Sequence, residues 1–151
     1  MFSKSAEYAL RATIYIAQKT GGGKKVGLAE IARAVDAPLP FTAKILQQLA
    51  RSKKLLQSVP GPNGGFFLTE KARQSPVMLV LKSVQEDEQL AKCILGLKKC
   101  SDKMPCPMHA TYKLIKQQLI DLFETTTIGE LAGDTEKQAL FINNRKKTAG
   151  N

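Results

Sequence analysis

Leu28-Ala29-Glu30-Ile31-Ala32-Arg33-Ala34-Val35-Asp36-Ala37-Pro38-Leu39-Pro40-Phe41-Thr42-Ala43-Lys44-Ile45-Leu46-Gln47-Gln48-Leu49-Ala50-Arg51 decides the fold. Its first eight residues form a compact amphipathic helix whose alanines permit a neighbour to approach closely. Asp36-Ala37-Pro38-Leu39-Pro40 breaks that helix, because each proline removes a backbone donor and restricts its predecessor. A second helix starts near Pro40 or Phe41, with Phe41, Ile45, Leu46 and Leu49 on its inner face. Two short helices around a tight turn make a helix-turn-helix candidate, the second helix being the reader.

The next residues extend the pattern. Leu55-Leu56-Gln57-Ser58-Val59 and Gly65-Phe66-Phe67-Leu68-Thr69 read as two strands joined through Pro60-Gly61-Pro62-Asn63-Gly64, a hairpin with a glycine-rich tip. Helix-turn-helix followed by a hairpin is the winged-helix order, and the predicted fold is mainly α with this one β-hairpin. Residues placed at DNA are Pro40, Phe41, Thr42, Lys44, Gln47, Gln48 and Arg51 from the reader helix, Lys53 and Lys54 after it, and Gly61, Asn63 and Gly64 of the wing. Gln and Lys side chains suit base edges and phosphates. An ordinary solvated helix face is the competing reading of the same periodicity.

Upstream, Ser3 or Ser5 caps a helix reaching about Lys19, with Ala6, Ala9, Leu10, Thr13, Ile14 and Ala17 along one face; Glu7 and Arg11 have the spacing of an i, i+4 ion pair. Downstream, Val77, Met78, Leu81 and Val84 mark a short helix that ends in Glu86-Asp87-Glu88. A long helix is expected from about Pro107 to Thr125, where Met108, Tyr112, Ile115, Leu119 and Leu122 recur at spacings of 4, 3, 4 and 3. Such a seam wants a partner helix, so a homodimer through Tyr112, Ile115, Leu119 and Leu122 is expected. The chain divides into a DNA-binding domain at 1–84, a cysteine-containing loop at 85–106, a dimerisation helix with the end of the fold at 107–133, and a mobile basic tail at 134–151.

Charge and composition bound the function. The 151 residues carry a formal charge of +10. Residues 1–74 hold 12 Lys/Arg against 4 Asp/Glu, and residues 75–151 hold 11 against 9, so the basic half is the one with the helix-turn-helix. A phosphate backbone is the commonest partner of such a field. No apolar run approaches the roughly 20 residues that span a bilayer, and three cysteines are an odd number for a closed disulfide framework. A cytoplasmic, reduced protein is expected.

All three cysteines and the sole histidine fall within 17 positions, as Cys93-x6-Cys100-x5-Cys106-x2-His109. Lys98, Lys99, Lys103, Gly96, Ser101, Asp102, Pro105 and Pro107 interleave them, which makes a polar loop and a poor core segment. Thiolate and imidazole together suit zinc or iron-sulfur chemistry; three unrelated core cysteines are the bland alternative. A thiol enzyme is weakly supported. There is no Cys-x-x-Cys, no paired-carboxylate site and no glycine-rich phosphate loop before a helix.

The wing Gly61-Pro62-Asn63-Gly64-Gly65-Phe66 after Gln57-Ser58-Val59, with Phe41-x3-Ile45-Leu46-x2-Leu49, resembles the Rrf family of winged-helix regulators over about Phe2 to Gly133. Cys106-Pro107-Met108-His109 lies where iron-sulfur members of the IscR and NsrR type place cluster ligands. The resemblance implies a homodimeric transcriptional regulator on palindromic double-stranded DNA, sensing redox state, nitric oxide or iron-sulfur status. It implies a cluster held by Cys93, Cys100, Cys106 and a fourth ligand: His109, as for a 2Fe-2S cluster, or Glu7 of the partner subunit. A 4Fe-4S cluster and zinc fit the same donors, and a cluster-free member would sense through its thiols or a small molecule. The chain departs from the pattern twice: Pro60 stands where many members have a basic residue that enters the minor groove, and the first cysteine gap is one residue longer.

Overall fold

The computed structural model describes residues 1–137 and 140–144. Helix α1 (Lys4–Lys19) begins where Ser3 Oγ accepts from the Ala6 amide. Its buried stripe is Ala6, Ala9, Ala12, Thr13, Ile16 and Ala17; Ala12 and Ile16 thus replace the expected Leu10 and Ile14, which are half-buried at its margin. Small side chains at four of those six positions let other helices lie close. Glu7 pairs with Lys4 at 3.1 Å rather than with Arg11, whose guanidinium lies 4.9 Å from the Tyr8 ring centroid.

Helix α2 (Leu28–Val35) ends as expected at Asp36, which takes the left-handed conformation at φ 53° and donates its amide to the last turn. Helix α3 (Leu39–Ala50) then starts with Pro40 in its first turn, where a missing amide costs nothing. Ile45, Leu46 and Leu49 are fully enclosed. Tyr8 of α1 meets Phe41 edge to face at 5.6 Å, so the start of α3 is braced on α1.

Strands β1 (Leu56–Val59) and β2 (Gly65–Leu68) pair antiparallel with Leu56 opposite Leu68 and Val59 opposite Gly65. Each is one residue shorter than the sequence indicates: Leu55 precedes β1 as a buried residue, and Thr69 instead caps α4 (Glu70–Arg73) by accepting from the Ala72 amide. Val26 exchanges two backbone hydrogen bonds with Phe66, at 2.9 and 2.8 Å, which ties the hairpin to the segment before α2.

Helix α5 (Met78–Ser83) buries Met78, Val80 and Leu81, and a 3-10 turn at Asp87–Ala91 buries Leu90. Helix α6 (His109–Thr125) starts two residues later than expected, with Met108 as its N-cap. Helix α7 (Ile128–Lys137) corrects the expected end of the fold at Gly133, which it passes by one turn. It packs on α1 through Ile128 and Ala132. Residues 140–144 are not free of the domain either: Arg11 donates to the Ile142 carbonyl at 3.5 Å, and the Asn143 amide donates to the carbonyl of Ala34. The basic run Arg145-Lys146-Lys147 of the expected mobile tail lies outside the described residues.

Candidate nucleic-acid interface and cysteine-histidine site

Reader helix α3 turns its apolar stripe inward, and the remainder follows from helical spacing. Pro40, Lys44, Gln47 and Arg51 are exposed and Gln48 is half-exposed. Thr42 is a correction: it is 2% exposed and its hydroxyl donates to the Pro38 carbonyl at 2.9 Å, so it serves the helix start and offers nothing to a ligand. Threonine at the first turn satisfies local backbone in this way. Phe41 is half-buried against Tyr8.

Lys53, Lys54, Gly61 and Asn63 are exposed, and Gly64 is half-buried in the tip, where its amide donates to the Gly61 carbonyl at 3.0 Å. Among the described residues no acid forms an ion pair with Lys44, Arg51, Lys53 or Lys54. No described acid pairs with their charge, which suits a phosphate-binding surface.

At the head of α6 the loop draws the cysteines and the histidine together. Cys93 is buried, Cys100 and Cys106 are half-buried, and all three are free thiols. They stand as two adjacent pairs. The backbone amides of Leu97 and Leu95, and then the side chain of Cys106 and the amide of Gly96, hold the Cys93 thiol below its usual pKa by hydrogen bonding to the sulfur. Gly96 makes that turn, with φ +77° and its amide on the Cys93 carbonyl at 3.0 Å. In the other pair, Cys100 Sγ lies 3.4 Å from His109 Nδ1.

His109 is 8% exposed and is the only buried residue of α6. Its Nε2 is 2.9 Å from Asp102 Oδ1, which also accepts from Lys113 Nζ at 2.8 Å. Lys113 first, and His109 second, bring the Asp102 carboxyl down to about 2, so it is ionised at every ordinary working pH. Spacing alone singled out the four donors and missed Asp102 and Lys113. Asp102 sits seven residues before the histidine, and Lys113 one helical turn after it.

The donor chemistry fits a thiolate-rich centre: an amide cradle already stabilises one sulfur, and hydrogen bonds to sulfur are a recurring feature of such sites. Among the described residues, however, no three of these donors stand close enough together to hold a metal ion. A single centre requires the two pairs to close on one another. Glu7 lies in the first turn of α1, paired with Lys4, and contributes to neither pair.

The seam of α6 is only partly covered. Tyr112 and Leu119 are half-buried, whereas Ile115 is 53% and Leu122 56% exposed. Leu114, which the heptad spacing omits, is 68% exposed beside them. Leu122 lines an apolar hollow of about 110 Å³ with Val77, Phe123, Thr126 and Leu131. No helix of the described residues is long and apolar enough to cross a membrane.

Comparison with known proteins bears on the whole architecture. Residues 2–134 match the family model described as Rrf2, an iron-dependent transcriptional regulator. An Aquifex aeolicus chain assigned to the HTH-type transcriptional regulators is 32% identical over 139 residues, covering 91% of this chain and 94% of its own. The HTH-type transcriptional regulator IscR of Escherichia coli is 27% identical over 146 residues, covering 97% and 87%. Among solved structures, T. potens IscR superposes with a TM-score of 0.67 at 19% identity, covering 93% of this chain and 91% of that one. CymR of B. subtilis, the global cysteine regulator, superposes with 0.68 at 19% identity, covering 88% and 96%. The winged-helix resemblance read from the wing and the reader helix holds, and the chain belongs to the Rrf2 family of transcriptional regulators.

Proposed function

We propose that this regulator binds DNA as a homodimer and senses redox, nitric oxide or iron-sulfur status through a cluster, of 2Fe-2S type, held by Cys93, Cys100, Cys106 and His109. The observation that carries the reading is the gathering of every cysteine and the only histidine at the head of α6, a long helix whose apolar face is left partly uncovered. The relatives' name IscR supports it. When bound, the cluster supplies an oxidisable, labile iron-thiolate centre. The chain's own part is to bring the donors together and to keep His109 oriented.

DNA recognition is assigned to Lys44, Gln47 and Gln48 on α3, with Pro40 at its start and Arg51 at its C-cap, and to Gly61 and Asn63 on the wing. Lys53 and Lys54 supply phosphate contacts. The half-sites are related as the two subunits are, so a palindromic operator is part of the proposal. Ile115 and Leu122 form the centre of the dimer contact, and the hollow under Leu122 receives an apolar side chain of the second copy.

Coupling has a physical route. Lys116 Nζ holds the Ala91 carbonyl at 3.4 Å, and Glu86, just before the 3-10 turn, accepts from the amide and hydroxyl of Ser3, the cap of α1. From there Tyr8 abuts Phe41 of the reader helix. Freeing the loop would change both the head of α6 and the seat of α1, and so the separation of two reader helices.

Anaerobic purification with an absorbance spectrum and iron, sulfide and zinc analysis tests the cluster. The expected protein is brown, with iron and sulfide near two per chain, and sediments at twice the chain mass; His109→Ala shifts its spectrum and Glu7→Ala does not. A shift with Glu7→Ala alone would move the fourth ligand to Glu7 of the partner subunit. Colourless, metal-free protein would overturn the cluster. The thiol contact between Cys93 and Cys106 would then support the second reading, a regulator that senses by cysteine oxidation. Zinc without iron would mark a Cys3His site.

A further inference from the structure

We infer that Asp102, steadied by Lys113, is a positioning residue that fixes His109 as the Nε2–H tautomer and so presents the Nδ1 lone pair, facing Cys100, as the atom that ligates a metal centre. The inference rests on the metal-centre reading above and deepens it.

A neutral imidazole carries one proton on two nitrogens, and the neighbour of each nitrogen decides where it sits. A carboxylate that takes the Lys113 ammonium on the same oxygen, as Asp102 does, acts there as an acceptor. Its Oδ1 is 2.9 Å from Nε2, so that nitrogen must hold the proton. Nδ1 is then left with its lone pair, 3.4 Å from the Cys100 thiol. Lys113 reaches the same carboxylate oxygen at 2.8 Å and keeps it charged and in place.

The bland reading of these contacts is a surface ion pair, since the Asp102 side chain is 71% and that of Lys113 54% exposed, and such pairs contribute little to stability. That reading leaves two facts unexplained. His109 is buried while its partner is exposed, and the two ring nitrogens divide between a carboxylate and a cysteine that the sequence already groups with two others. A carboxylate on the far nitrogen of a ligating histidine fixes the ring and raises its basicity, and its removal typically weakens metal binding 10–100-fold.

Because His109 is the only histidine, nitrogen-15 labelling of histidine gives a single ring to observe. In reduced, metal-free protein at neutral pH, Nε2 is expected to show a protonated and Nδ1 an unprotonated signal. Asp102→Ala is expected to average the two toward free imidazole, and Asp102→Glu to restore them. Zinc(II) titrated against a competing chelator should bind Asp102→Ala about 10–100-fold more weakly than wild type, with Asp102→Glu within about threefold of wild type. A ring protonated on both nitrogens, which would make it an imidazolium paired with a Cys100 thiolate, overturns the assignment. So does an Nδ1–H tautomer, or an Asp102→Ala protein unchanged in both measurements. The ring and zinc results are obtained without a native cluster, so its absence counts against the cluster reading alone and leaves them to decide this one.

Discussion

Gly64→Ala is expected to lower DNA affinity by about tenfold or more, equivalent to at least about 1.4 kcal/mol, while the helical core stays folded. A β-carbon on Gly64 would lie 1.9 Å from the Val59 carbonyl oxygen and 2.8 Å from the carbonyl of Pro60. These are backbone atoms, so no rotamer change relieves the clash and the tip must re-form. The Gly61–Gly64 turn and the Val59–Gly65 pair beside it are lost first. The buried end of the hairpin, Leu56 opposite Leu68, stays anchored in the core. Fluorescence anisotropy on a duplex, with a thermal melt of the same sample, separates the effects. Unchanged affinity would remove the wing from the interface.

Leu46→Ala is expected to cost about 2–5 kcal/mol, the range for deleting a fully enclosed leucine from a packed interior. Leu46 has no exposed surface and lies on the inner face of α3, in the core shared with α1, α2, the hairpin and α5. Collapse around it is restricted, because α1 presents alanines that have no longer side chain to move into a gap. For a chain of this size each kcal/mol lowers Tm by about 2–4 °C or somewhat more. Denaturant unfolding checks it. A loss below about 1 kcal/mol would mean that Leu46 is not part of the close-packed centre.

Much of this was legible in the sequence, for reasons that can be named. The helix-turn-helix declared itself because Asp36 to Pro40 can hardly continue a helix, and the hairpin because glycine and proline crowd its tip. The cysteine loop was plain from the company its cysteines keep. Helix α7 was missed although Thr127 and Glu130 carry its signal: the Thr127 amide donates to Glu130 Oε2 at 2.8 Å and the Glu130 amide to Thr127 Oγ1 at 3.1 Å, a capping box. The nearby Gly129 hides it. A β-carbon there would stand 3.1 Å from the Arg73 carbonyl oxygen, so glycine serves close approach and does not end a helix.

Thr42 failed for a different reason. Its exposure was inferred from helix phase, but near the helix start the hydroxyl turns back to the Pro38 carbonyl, which also accepts the Thr42 amide, a choice that phase does not encode. Asp102 was read as loop filler because nothing in one dimension brings it to His109. Only the fold of the loop over the start of α6 makes that contact.

Under the proposed function, occupancy of the cysteine-histidine site sets DNA affinity. The most direct measurement is the affinity of cluster-loaded and cluster-stripped protein, at one fixed salt concentration, for a duplex selected from a random-sequence pool by the loaded form. Salt must be fixed because phosphate contacts alone move such constants by orders of magnitude. A difference of about tenfold or more, with a changed footprint, is expected; equal affinities and identical footprints would mean that the site does not govern DNA binding.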